Sequence, residues 1–353
     1  MEHLILAINP GSTSTKIALY KNETELFKEI VSHPNSEIDK YSNLFEQTPM
    51  RRALVIDAME RHGCKPTDLS CVMSCGGPLP PVKTGGYKVS RKMLDLILSG
   101  QLPIHASNLG AIIADEIAAL GGVEAYIYDA VSASEFPPIA RITGMKEVER
   151  KSYCHVLNSR AASIKFAQSR GVDYGDMNLI VAHLGGGITM SAHKQGKIVE
   201  SLSDDNGSFA PERAGNVPLL DVIDLCYSGK YTKQEMVKKV RGMGGLRDLL
   251  GTSDGRKIAE MVASGDKYAT LVMEAQAYQI AKGIALVSPP LMGEVDATIL
   301  TGGLAHNEFL IENVKKYISH MAPVVIYPGE FEMEALALGG LRILRNEESA
   351  NEF

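Results

Sequence analysis

The sequence predicts an α/β protein of two similar domains, each built on a mixed sheet. Three observations predict it. Apolar runs of strand length enter glycine-bearing bends at 4–20, 178–199 and 298–307. Two of those bends leave into a second alternating run, as hairpins do, whereas the third leads into the helix-like NEFLIENVKKYI. Strand-like and helix-like segments then alternate along the chain, the pattern of α/β domains. A length of 353 residues suits two domains with their own cores. We expect them at 1–150 and 151–330, with a helix within 331–353 returning to the first.

Taken in order, LILAINPGSTSTKIALY at 4–20 reads as a hairpin whose bend is a phosphate seat. Pro10 stiffens its entry, Gly11 is free in backbone angle, and Ser12, Thr13 and Ser14 offer hydroxyls without bulk. Lys16 adds a positive charge just past the bend. Converging N–H and O–H groups of this kind hold an anion; a polar surface turn is the alternative. ELFKEIV supplies a third strand, and 37–62 reads as mostly helical with a break near Pro49. DLSCVMSC at 68–75 is a buried strand that runs into Gly76, Gly77 and Pro78, after which GGPLPPVKTGGY must be loop.

Residues 90–99 and 107–120 read as helices, the second started by Ser107 or Asn108 as N-cap. EAYIYDAV is a further buried strand with Asp129 at its end, 137–153 is irregular, and HVLNSRAASIKFAQSRG is a helix closed by Gly171. The second half repeats the logic. A hairpin at 178–193 turns on Gly185, Gly186 and Gly187, a strand follows near 197–202, and the loop SDDNGSFAPERAGNVP leads into helical runs over 218–287. The strand ATIL, its bend at Gly302 and Gly303, a helix, the strand PVVIYP and the helix EALALGGLRILR complete the chain. Three glycine bends at strand ends argue for one nucleotide gripped by two related halves.

Composition narrows the function. Apolar residues make up 45% and charged residues 22%, as in an ordinary soluble protein. A net charge of −6 with no basic stripe disfavours a nucleic-acid partner. The N-terminus has no basic region ahead of an apolar core and no long apolar span follows, so neither secretion nor membrane insertion is expected. Five cysteines without a CxxC pair suit free thiols in a reducing cytoplasm. There is no GxxxxGK[ST], no GxGxxG between strand and helix, and no GxSxG elbow. Phosphate chemistry on hairpin bends is what remains.

Eight segments in this order resemble the acetate and butyrate kinases, closest to the butyrate kinase branch, of the sugar kinase, actin and chaperone ATPase superfold. They are NPGSTSTK at 9–16, IHASNLGAIIA at 104–114, VAHLGGGI at 181–188, PERAGNVPL at 211–219, LGTSDGR at 250–256, AYQIAKGI at 277–284, LTGGLAH at 300–306 and the EALAL tail. The resemblance covers almost the whole chain. It implies reversible, Mg²⁺-dependent transfer of the γ-phosphoryl of ATP to a short-chain carboxylic acid, giving an acyl phosphate and ADP, in a homo-oligomer (dimer or higher).

Residue by residue, the resemblance assigns Arg213, Asp129, His183 and His155 to catalysis, and Asn9, Ser12, Ser14, Lys16, Gly185, Gly186 and Gly187 to the nucleotide phosphates. Gly302 and Gly303 fall to the adenosine, and Asp254 and Arg256 to positions near its base. His105, Cys75, Gly76 and Gly77 face the acid, and Asp129 with Glu332 holds the metal, Glu334 being a neighbour that could compete. A carboxylate is ionised at neutral pH and attacks without a general base, so such an enzyme has to supply positive charge and alignment. One position departs from the pattern: Cys75 stands where butyrate kinases of this type carry an arginine. A thiol cannot fork onto a carboxylate, so another cation, Lys83 or Arg141 among the candidates, would hold the acid, or the favoured acid is not butyrate. A sugar or polyol kinase, or an ATP-binding protein without carboxylate kinase activity, are the rival readings.

Overall fold

The computed structural model describes residues 2–353, apart from the side chain of Asn35. The chain divides into two compact units, 1–134 with 331–353, and 135–330. The division falls after Ser134, ahead of the expected 150, because the intervening segment is tied to the second unit. Glu135 N donates to the Ile198 carbonyl, and the Arg150 guanidinium lies on the Glu200 carboxylate.

The first unit starts with the meander β1 (Leu4–Pro10), β2 (Ser14–Lys21) and β3 (Thr24–Ser32). A single helical turn α1 (Asn35–Ile38) precedes α2 (Thr48–Arg61), where Pro49 stands in the first turn, the one place in a helix where its missing N–H costs nothing. Next come β4 (Cys71–Cys75), the short β5 (Gly86–Lys88) inside the Gly/Pro-rich loop, α3 (Arg91–Leu98), α4 (Asn108–Gly121) and β6 (Glu124–Tyr128). Neither expected residue caps α4 through its side chain. Ser107 is already helical at φ −63°, and the Asn108 side chain turns back to accept from His105 N.

The second unit contains α5 (Pro138–Arg141), α6 (Val156–Arg170), β7 (Asn178–Leu184), β8 (Ile188–Lys194) and β9 (Lys197–Leu202). Gly171 closes α6 in the left-handed region at φ 71°. Then follow α7 (Leu219–Tyr227), α8 (Lys233–Val240), α9 (Leu246–Leu250), α10 (Gly255–Ala263), α11 (Lys267–Val287), β10 (Ala297–Gly302), α12 (Glu308–Ile318) and β11 (Val324–Pro328). The last helix, α13 (Glu332–Leu344), belongs to the first unit and packs on β1, β2 and β4.

Strand order shows the kinship of the halves. The first sheet runs β3-β2-β1-β4-β6-β5 and the second β11-β10-β7-β8-β9. Each is an antiparallel meander whose first strand pairs in parallel with a later strand, and that strand with another. The core strands are buried on both faces: Ile5, Leu6, Ala7 and Ile8, and likewise Leu179, Ile180, Val181 and Ala182, are fully inaccessible. In the second unit α11 and α12 complete that core through residues such as Ile280, Ile284, Leu310 and Val314. Among the described residues, no helix is long and apolar enough to cross a membrane.

Candidate active site

In the first unit the parallel strands β1, β4 and β6 end side by side at Pro10, Cys75 and Tyr128. Carboxyl ends of parallel strands are where open α/β sheets bind ligands. Asn9, on β1, lies opposite Lys16 on β2. Its amide nitrogen donates to Glu332 Oε2 at 2.6 Å, and Lys16 Nζ reaches the same oxygen at 3.4 Å. Glu332, rather than Glu334, is therefore the acid brought to this edge, because the first turn of α13 is laid across β1.

Between Asn9 and Lys16 the chain bends through Gly11, Ser12, Thr13 and Ser14, and every one of those four carbonyls is engaged inward. Gly11 N donates to Ser14 O at 2.7 Å, His33 N to Thr13 O at 2.7 Å, and Arg51 to the carbonyls of Gly11, Ser12 and Ser14 at 2.8, 3.1 and 3.3 Å. Ser12 and Thr13 are exposed, and their amides donate to no protein group among the described residues. A bend with its carbonyls inside and its N–H groups outside has the geometry that can receive an anion.

The other first-unit candidates occupy neighbouring strand ends. Asp129 follows β6 with only 3% of its surface exposed, at a left-handed φ of 47°. Its Oδ1 accepts from Gly85 N at 2.7 Å while its own N–H donates to the Gly85 carbonyl. A non-glycine residue held in that region stores strain of the kind found at functional positions. Cys75 is buried, and burial, reinforced by the Glu332 carboxylate, pushes its thiol up to about 12, so it stays neutral. Gly76 and Gly77 pack tightly, since a Cβ on either would lie 2.6 Å from Ala130 Cβ or 2.8 Å from Asn108 Nδ2. His105 is exposed and its Nδ1 meets Ser107 Oγ at 2.7 Å.

In the second unit β7, β10 and β11 are the parallel strands, and the glycine bends sit at their carboxyl ends. His183, 2% exposed, is the penultimate residue of β7. Asn158 Nδ2 donates to its Nδ1 at 2.9 Å and to Thr301 Oγ1 at 3.2 Å. An amide nitrogen only donates, so the neutral His183 ring carries its proton on Nε2. That atom faces the bend, 2.7 Å from where a Cβ of Gly185 would stand. His155 stacks on His183 with ring centres 3.8 Å apart and bonds through Nδ1 to Thr189, the residue opposite His183 in the hairpin.

Arg213 joins the same bend. Its guanidinium pairs with Asp204, itself 7% exposed in its side chain, and it occupies the space where a side chain on Gly187 would lie. Asp204 also accepts from Arg241 at 2.6 Å, and Arg241 bonds Asp205 at 2.9 Å. Burial, with Arg241 alongside, lowers Arg213 to about 10, which leaves it charged at neutral pH. At the end of β10, Gly302 has φ 91°, and a Cβ there would overlap the Leu184 carbonyl, whereas Gly303 and Gly186 face open space.

Thus the structure brings Asn9, Lys16 and Glu332 into contact in one unit, and His155, His183, Gly185, Gly187 and Arg213 in the other. It does not join Asp254 and Arg256 to a glycine bend: Asp254 caps α10 by accepting from Arg256 N, both side chains are exposed, and no bond links them to Gly302 or Gly303 among the described residues. Arg51, Asn158, Asp204 and Arg241 were not singled out from the sequence. Only Asn158 left a local signal, one helical turn after His155.

The residues fit a magnesium ion bound with a nucleotide. Among the described residues, no group of three or more His, Cys, Asp or Glu side chains is placed to hold a metal. Mg²⁺ does not need one, because it takes one or two carboxylates and completes its shell with phosphate oxygens and water. Asp129 and Glu332 supply two carboxylates at the same sheet edge.

The acetokinase family model matches residues 151–331. Among solved structures, the Porphyromonas gingivalis acetate kinase superposes with a TM-score of 0.79 at 19% identity, covering 97% of this chain and 100% of that one. A propionate kinase from Francisella tularensis subsp. tularensis SCHU S4 gives 0.75 at 16% identity, over 96% and 98%. The Entamoeba histolytica acetate kinase gives 0.74 at 14%, over 95% and 98%. At such identities these three likenesses establish the fold. The family match spans just over half of the chain and takes in His155, His183, the Gly185–Gly187 bend and Arg213, and on it the chain belongs to the acetokinase family.

Proposed function

We propose that this chain phosphorylates a short-chain carboxylate, butyrate or a branched acid of similar size, with ATP and Mg²⁺, reversibly forming the acyl phosphate and ADP. The observation that carries the reading is the cluster in the second unit: a glycine bend closed on one side by His183 and on the other by a half-buried Arg213 paired with the buried Asp204, in a member of the acetokinase family. In this reading Asn9, Ser12, Ser14 and Lys16 of the first unit bind nucleotide phosphate, and in the second unit Gly185, Gly186 and Gly187 do the same while Gly302 and Gly303 leave room for the adenosine; Asp254 and Arg256 are assigned to its base without a bond joining them to those glycines.

A carboxylate oxygen of the acid attacks the γ-phosphorus in line; the new O–P bond forms as the bond to the ADP oxygen breaks, and no proton moves. The transferring group spreads negative charge over its equatorial oxygens. Arg213, aimed by Asp204, answers that charge, and His183 donates a hydrogen bond from Nε2 with His155 stacked behind it. Asp129 and Glu332 would hold a magnesium ion, which would offset the negative charge of the nucleotide phosphates. His105 and the Cys75–Gly77 corner face the acid. The neutral Cys75 thiol suits an alkyl chain better than a carboxylate, which leaves the acid's charge to another cation.

The enzyme is cytoplasmic in this reading, in keeping with its five free cysteines. It is also a homo-oligomer, since α7 buries none of its residues and exposes Leu219, Leu220, Ile223 and Tyr227. The test is incubation with ATP, Mg²⁺ and a panel of C2 to C6 acids, trapping acyl phosphate as the hydroxamate. A C4 or branched acid should give the highest kcat/KM. Nucleotide binding without trapped product from any acid would instead support an ATP-binding protein of this fold, and phosphorylation of sugars or polyols a hydroxyl kinase.

A further inference from the structure

Arg51 is fully buried on α2, yet among the described residues no carboxylate pairs with it. Its hydrogen-bond donors are spent on neutral oxygens. Nη1 donates to the Gly11 carbonyl at 2.8 Å, the Ser14 carbonyl at 3.3 Å and Thr15 Oγ1 at 3.2 Å; Nη2 donates to the Ser12 carbonyl at 3.1 Å and, with Nε, to Gln47 Oε1 at 2.9 and 3.2 Å. An arginine keeps its charge at any ordinary pH, and a buried charge without an opposite partner is costly. A protein that retains one directly beneath an exposed bend with outward N–H groups has placed it where an anion can answer it.

We infer that Arg51 is the positioning residue of the phosphate seat, doing two things from below. It draws the carbonyls of Gly11, Ser12 and Ser14 inward so that the amides of Ser12 and Thr13 face outward, and it lends the seat a full positive charge that a nucleotide phosphate balances. The inference rests on the reading of this bend as a nucleotide-phosphate site and extends it to a residue that touches no ligand.

Gln47 supplies the cleanest test, because Gln47→Glu keeps the acceptor oxygen that Arg51 uses and adds the missing negative charge. Calorimetric titration of the wild type, Gln47→Glu and Arg51→Lys with ADP and with adenosine, alongside thermal unfolding, separates the roles. Gln47→Glu should fold at least as stably as wild type and bind ADP at least tenfold more weakly, about 1.4 kcal/mol, with adenosine affinity within twofold. Arg51→Lys should show the same phosphate-specific loss. Wild-type ADP affinity in a folded Gln47→Glu variant would overturn the charge role, and equal losses for ADP and adenosine would reduce Arg51 to a structural part. A wild-type chain that binds adenosine and ADP alike would overturn the phosphate-seat reading itself, and the inference with it.

Discussion

Gly187→Ala tests the link between the second glycine bend and Arg213. The backbone at Gly187 is not in the left-handed region, so alanine is tolerated conformationally. The new methyl, however, would overlap the Arg213 guanidinium, standing 2.8 Å from Cζ and 3.0 Å from Asp204 Oδ2. Either distance is well inside van der Waals contact, and the movable partner is the arginine. Shifting it weakens a charge-assisted hydrogen bond to a buried carboxylate, a stability loss of about 1.5 to 3 kcal/mol. Displacing a charge aimed at the transferring group costs about 10² to 10³ in kcat, the scale of a lost transition-state contact.

Both effects are read by thermal unfolding and by acyl phosphate formation at saturating ATP and acid. Arg213→Ala should lose two orders of magnitude or more. The double variant should be no slower than Arg213→Ala alone, since both changes remove one interaction. Gly187→Ala retaining wild-type kcat, or a double variant whose losses multiply, would refute the argument that this glycine acts by leaving room for Arg213.

Two further expectations come from neighbouring positions. Apart from its chain neighbours, no described residue lies within 4 Å of a Cβ at Gly186, so a methyl there has room in the protein and would meet a bound ligand: Gly186→Ala should leave the melting temperature unchanged and raise the KM for ATP several-fold. His193 is fully buried, with Tyr174 and Ser191 hydroxyls at 2.7 and 2.8 Å from its ring nitrogens, and burial next to Arg160 lowers it to about 3. The unfolded chain then binds one more proton than the folded one between about pH 6.5 and 3, so stability is full above that window and falls on acidification, by up to about 1.4 kcal/mol per pH unit. Urea unfolding from pH 7 to 5 should show this slope in the wild type, reduced by one proton's worth in His193→Gln.

The strand ends were legible in the sequence because their signals are local. Apolar runs stop at Cys75, Leu184 and Gly302, each followed directly by glycine, Asn9 and Asp129 are polar residues at the ends of two more, and Gly171 marks its helix end in the ordinary way. β5 escaped notice because three residues inside a Gly/Pro-rich loop carry no periodicity. The capping role expected of Ser107 or Asn108 went instead to a preceding turn at His105, which no helix-start pattern distinguishes.

The supports of the site were hidden for a different reason. Arg51 and Arg52 are adjacent on one helix and look alike in sequence, yet Arg52 pairs with Glu116 in a half-exposed ion pair while Arg51 reaches residues some forty positions back in the chain. Asp204 and Arg241, likewise, are brought to Arg213 by a bridge between Arg213 and Arg241 that only the folded backbone makes. Local patterns report periodicity and capping; they do not report which charge lies under which bend.

The central claim is that a carboxylate oxygen attacks the γ-phosphorus. Butyrate labelled with ¹⁸O in both oxygens, incubated with the enzyme, ATP and Mg²⁺ and quenched in hydroxylamine, puts the question directly, because hydroxylamine cleaves an acyl phosphate at its carbonyl carbon. The account predicts hydroxamate and an equal amount of inorganic phosphate carrying one ¹⁸O. Phosphate without label, or no hydroxamate while ADP accumulates, would contradict it.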